Sequence, residues 1–304
     1  MTQLLNALPG ALAQGLIWGV MAIGVYITYK VLDIADLTVD GSICTGAAVC
    51  TMLLLGGQSP WLALLCAVLA GVLAGAVTGL FHVGLGIPPI LAGILTQMVL
   101  WSVNLKLLGK ANQALPARTT PVLLSQMDVG GALPVLLGFC VVLVVLLVLF
   151  FGTELGCALR ATGCNPVMSR AQGVNTGLMK VVGLALSNGV VALSGALLCQ
   201  YQGYTDVNMG RGAVVIGLAA VVIGQAVLGR RGGRMAVQLG GVILGAVIYY
   251  IVYQVIIFAG FDTDLLKMFS AVVVAVFLGA PHVKAQLKAH SRSKKGDSGH
   301  AENE

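Results

Sequence analysis

Of the 304 residues, 58% are hydrophobic and only 9% are charged, 17 basic against 11 acidic, and the mean hydropathy is +0.96. Soluble domains carry about 25% charged residues, so a soluble enzyme, a disordered chain and a disulfide-stapled module are all excluded. An all-α polytopic membrane protein remains.

Uncharged runs mark the predicted spans. Residues 11–29 form the first. Residues 41–105 carry no charge, enough for three crossings at about 20 residues each. Breaks at Gly56-Gly57-Gln58-Ser59-Pro60 and Gly84-Leu85-Gly86-Ile87-Pro88-Pro89 divide them. Five more spans are predicted over 130–153, 181–199, the Gly-rich 212–229, 235–261 and 265–283, making nine. Residues 1–283 therefore read as one transmembrane domain. Residues 284–304 read as a polar, basic tail, disordered at its end. No cleavable leader is expected, because the first basic residue is Lys30.

Basic residues orient the chain. With nine crossings and a cytoplasmic C-terminus, 12 of the 17 lie inside and 5 outside, and the N-terminus is outside. The net charge of +6 thus reports topology and is not a nucleic-acid signal. The seven cysteines form no CxxC pair and read as small buried hydrophobes.

Two regions share a pattern. A helix ending near Tyr29 is followed by Asp36-Leu37-Thr38-Val39-Asp40-Gly41-Ser42 and a Gly/Ala-rich helix. A helix ending near Gln200 is followed by Asp206-Val207-Asn208-Met209-Gly210-Arg211-Gly212 and another. On the predicted topology the copies are inverted. Inverted repeats with interrupted helices belong to transporters, and the breaks point at the solute path; chance similarity in Gly/Ala/Val-rich sequence is the alternative.

The loop after the fifth span, residues 154–177, is the longest predicted inner loop. Asn165-Pro166 caps and starts a helix, and Gly173 ends it, giving about two turns flanked by Arg160 and Arg170. Such an element docks a cytoplasmic partner or is an ordinary amphipathic connector. Its pattern, Gly156-x3-Arg160-Ala161-x-Gly163-x-Asn165-x4-Arg170-x2-Gly173-x-Asn175, resembles the coupling loop of ABC importer permeases of the branched-chain amino acid and ribose type. The run Ala35-Asp36-Leu37-Thr38-Val39-Asp40-Gly41 resembles the subgroup linked to tryptophan/tyrosine importers. Branched-chain members carry an Asn-Phe-Ala-His-Gly-like run at 34–40, from which this chain departs.

The resemblance covers roughly residues 10–280 and implies a set of partners. Two permeases, a homodimer or an unlike pair, form a pore. Cytoplasmic ATPase subunits bind the coupling helices and hold ATP-Mg. An extracytoplasmic binding protein delivers an amino acid, aromatic among the options, or a similar small solute. The chain itself has no Gly-x4-Gly-Lys-Ser/Thr loop and is expected to need no cofactor or metal. The expected location is the bacterial inner membrane.

Polar residues in apolar surroundings mark candidate pathway positions. Gln97 and Asn104 lie seven apart on one helix face, lining a pore or bonding neighbouring helices. Asn188 lies mid-span. Asp36 and Asp206 are expected to accept free backbone N–H groups at the breaks, beside Asn208, and Asp40 to cap the helix starting at Gly41. Tyr201 and Tyr204 read as outer-interface aromatics. No Ser/His/Asp set or paired carboxylates emerge, which argues against a membrane-embedded enzyme. The rival, an ion-coupled secondary transporter, would need acidic residues inside spans that are uncharged.

Overall fold

The computed structural model describes residues 2–116, 120–228 and 234–258, with 268, 271, 272, 275 and 279 as isolated positions. The chain divides into two units after Val255. Its elements in order are α1 (Thr2–Tyr26), continued by a π-helical turn (Ile27–Val31), α2 (Val39–Leu55), α3 (Pro60–Val83) and α4 (Pro89–Leu108). Then come β1 (Asn112–Ala114), α5 (Val129–Gly152), α6 (Glu154–Cys164), α7 (Pro166–Ala171), α8 (Thr176–Gln202), β2 (Tyr204–Asp206), α9 (Ala213–Leu228) and α10 (Met235–Phe258).

Among the described residues, six helices are long and apolar enough to cross a membrane: Ala7–Val31 and α3, α4, α5, α8 and α10. The expected count of nine crossings is not confirmed among the described residues. The predicted second and seventh spans are the shorter helices α2 and α9. At 1.5 Å per residue, the 16 residues of α9 fall short of a 30 Å hydrocarbon core. The predicted ninth span and the tail lie outside the described residues apart from the isolated positions. A small antiparallel pairing of β1 with β2, register Asn112↔Asp206, adds strand to the all-α expectation.

Helix α8 is the hub, packing on α1, α2 and α3. With little hydrophobic drive between helices in lipid, small residues let backbones approach closely. A glycine stripe on α3, Gly71, Gly75 and Gly79, lies on α8 at Asn188, Leu184 and Val181. Side chains at Gly46 of α2 and Gly195 of α8 would overlap the opposing backbone at Ala192 and Ile43.

Relative directions follow from the contacts. Ser194 Oγ donates to the Ile17 carbonyl and Ser187 Oγ to that of Gly24, so α1 and α8 are antiparallel. Ser42 meets Asn188 and Cys50 meets Ala196, so α2 runs with α8. Gly15 faces Val247 and Gly19 faces Ile243, while Gly224 faces Gly241 and Gly245 faces Ala220. Helix α10 is therefore antiparallel to both α1 and α9, and α9 is antiparallel to α2.

Candidate functional site

The first break follows the π-helical turn. Asp33 sits at φ 56°, a left-handed conformation uncommon for a residue with a side chain, and the chain then turns back beside α8. Asp36, 6% exposed, takes the Thr38 N–H on Oδ1 at 2.8 Å and the Asn188 Nδ2 amide on Oδ2 at 2.7 Å. Asn188 Oδ1 accepts from Ser42 Oγ at 2.6 Å. These fully buried partners pin the start of α2 to the middle of α8. A carboxylate this deep is tolerated because its oxygens are bonded.

Asp40 does not cap its own helix. It lies inside α2, whose N-cap is Thr38. Its carboxylate instead accepts the Gly212 and Val214 N–H groups, each at 3.0 Å, and so caps α9. The preceding turns run along α2: Gly210 N donates to Cys44 Sγ at 3.1 Å, and a Cβ on Gly210 would overlap the Asp40 carbonyl. The second break repeats the bond of the first, since Asp206 Oδ1 accepts the Asn208 N–H at 2.6 Å. The Asn208 side chain itself is exposed.

Between α2, α4 and the 207–211 turns lies a cavity of ≈ 600 Å³, lined among others by Asp40, Gln97, Trp101, Asn104 and Arg211. This is within the roughly 300–1,000 Å³ of small-molecule pockets. Gly41 lets α4 approach closely, since its Cβ would stand 3.2 Å from Gln97 Cα. Asn104 is 1% exposed, and neither amide atom has a partner in the described structure. Such an orphaned amide leaves about 1–3 kcal/mol unrecovered. Gln97 and Asn104 thus line one cavity without bonding a neighbouring helix. Arg211 and Trp101 line the same cavity.

Residues 153–176 form a second site. Thr153, Asn165 and Asn175 each turn a side-chain oxygen onto a backbone N–H, of Gly156, Met168 and Leu178, capping α6, α7 and α8 in succession. Gly173, at φ 86°, ends the turn after α7. Arg160 donates to the Phe151 carbonyl at 3.1 Å and Arg170 to Thr176 Oγ1 at 3.2 Å, so both tie the segment to the helices it joins. A Cβ on Gly163 would overlap the Val31 carbonyl, and Leu159 is fully buried under Gly183. Pro166 begins α7, and the next two side chains, Val167 (79%) and Met168 (61%), stand in the open. The sequence reading anticipated α7 but missed α6 and this exposed apolar pair. Tyr204 is exposed as expected, whereas Tyr201 is buried.

The family described as "Branched-chain amino acid transport system / permease component" matches residues 8–280. The tyrosine transport system permease protein of Clostridioides difficile is 37% identical over 287 residues, covering 93% of this chain and 94% of that one. An uncharacterized protein of Rickettsia prowazekii is 33% identical over 279 residues, 91% of this chain and 98% of its own. The autoinducer 2 import system permease of Escherichia coli is 29% identical over 216 residues, 67% of this chain and 60% of that one. No solved structure matches. The match over nearly the whole chain, on a bundle with six membrane-length helices, places it: the chain belongs to the permease-component family of ABC transport systems and is a multi-pass transport subunit rather than an enzyme.

Proposed function

We propose that this permease imports an amino acid, aromatic by analogy with the tyrosine-transport relative, and that residues 154–175 couple it to a cytoplasmic ATPase that holds the ATP-Mg. An extracytoplasmic binding protein supplies the solute, and two copies of the chain enclose the path. The supporting observation is the triple-capped segment carrying α6 and α7. It is stiffened by Arg160 and Arg170, offers Val167 and Met168 to a partner, and rests through Gly163 on Val31. Val31 lies just before the break that holds Asp36. Movement of α7 by an ATPase would therefore reach the Asp36–Asn188–Ser42 group through packed backbone.

With residues 154–175 on the inner face, the antiparallel pairs put the N-terminus outside and start α9 and α2 side by side, running oppositely. Two matching aspartate turns precede these helices. That arrangement supports the inverted-repeat reading, with Asp36, Asp40, Gly41, Gln97, Asn104, Asn188, Asp206 and Asn208 around the path. Helix α4 adds support: it and α5 are both largely exposed in the single chain, yet their mean hydropathies are 1.5 and 3.2. Helix α5 suits lipid, and α4 suits a partner copy or a water-lined path.

The test is co-purification of the ATPase encoded with this permease. Wild type should retain it, and Val167→Asp/Met168→Asp should lose most of it while staying monodisperse. Undiminished retention would refute the coupling role.

A further inference from the structure

We propose that the cavity between α2, α4 and the 207–211 turns is an intramembrane recognition site for the α-amino-acid headgroup, with Trp101 receiving an aromatic side chain. The inference rests on the amino-acid importer reading and adds to it a solute site within this chain.

The cavity carries opposite charges that do not close on one another. Asp40 and Arg211 line the same cavity, but no ion pair joins them among the described residues. Asp40 is held by the two backbone N–H groups it accepts, one on each oxygen, and each oxygen keeps a further lone pair. The Arg211 backbone is fixed on either side by the Gly210–Cys44 and Gly212–Asp40 bonds, while its guanidinium makes no hydrogen bond to a described residue. The position is not a chain end in solvent. Asp40 sits in the first turn of a helix whose Ser42 bonds Asn188, midway along α8. Charged groups at such depth are costly, and those retained mark solute paths.

The second observation is independent. Asn104, 1% exposed, lines this cavity with both amide atoms unpartnered. A neutral apolar solute would leave that amide and both charges unmet. A simple anion would answer Arg211 and leave Asp40 opposed; a simple cation would do the reverse. A zwitterion answers both: its carboxylate meets Arg211 and the Asn104 Nδ2, and its ammonium meets Asp40 and the Gln97 oxygen. Trp101, 43% exposed, and Met98 supply an apolar wall on which a ring can lie.

The experiment is equilibrium binding of labelled L-tyrosine to the permease–ATPase complex in lipid nanodiscs, without the binding protein. Tyramine, which lacks the carboxylate, and 3-(4-hydroxyphenyl)propionate, which lacks the ammonium, serve as competitors. The expected result is saturable binding that either analogue displaces at least about tenfold less well than tyrosine, and that weakens at least about tenfold in Arg211→Gln and in Asn104→Leu. Asn104→Leu should unfold at no lower temperature than wild type, because it removes an unmet amide from a buried position; this separates lost recognition from lost folding. Trp101→Ala should narrow the preference for tyrosine over alanine. Absence of saturable binding, equal displacement by either analogue, or wild-type affinity in Arg211→Gln and Asn104→Leu would overturn the site. The importer reading would fail separately, by the absence of ATP-dependent uptake when the binding protein is supplied.

Discussion

The carboxylate of Asp36 lies deep in the bundle, bonded by Thr38 N–H and the Asn188 amide, and Asn188 in turn holds Ser42. Hydrogen bonds to a carboxylate are worth more than neutral ones, so Asn188→Ala should lower stability by about 1.5–3 kcal/mol. Denaturant unfolding in detergent would measure this, and an unchanged midpoint would remove the relay from the account. Asp36, Asp40, Asn104 and Asn188 could be picked from the sequence because polar residues in apolar runs need an explanation. Their partners could not. Asp36 meets a residue 152 positions away, and Asp40 caps a helix 172–174 positions away. Local pattern suggested that Asp40 served its own helix, but backbone donors brought over by the fold took the carboxylate instead.

Helices α2 and α8 touch backbone to backbone at Gly46 and Gly195. Gly195→Ala would force them apart and should cost about 1–3 kcal/mol, as overpacking does; native-like stability in that variant would show that the interface yields. In residues 153–176, Asn165→Ala removes the α7 cap and should weaken that helix by about 1 kcal/mol. Faster amide exchange confined to 165–172 is the expected readout, and unchanged exchange would contradict it. The α7 start was legible because Asn-Pro is a strong local signal. Helix α6 was not, since Gly156 and Gly163 lower its helix propensity and only packing on Val31 and Phe151 explains them. Hydropathy locates α2 and α9 but carries no information on the depth at which a helix begins, so their shortness is not legible in the sequence.

For the molecule as a whole, the predicted orientation places residues 154–175 and the exposed Cys164 on the cytoplasmic side. In a variant of the permease keeping only Cys164 and expressed without its ATPase, a membrane-impermeant maleimide should label this thiol only after cells are permeabilised. Labelling of intact cells would invert the topology. Composition alone gave the class, a greasy helical bundle, and the loop pattern gave the family. The opposite charges of Asp40 and Arg211 meet at one cavity only through the assembly of α2, α4 and the 207–211 turns.

In the proposed mechanism, ATP spent by a partner is delivered through α7. The most direct test is uptake of labelled L-tyrosine into proteoliposomes containing the permease, its ATPase and its binding protein, with and without ATP. Wild type should accumulate tyrosine in an ATP-dependent way that falls to background in Val167→Asp/Met168→Asp while the permease itself stays intact. Accumulation driven by an ion gradient without ATP, or undiminished in that variant, would contradict it.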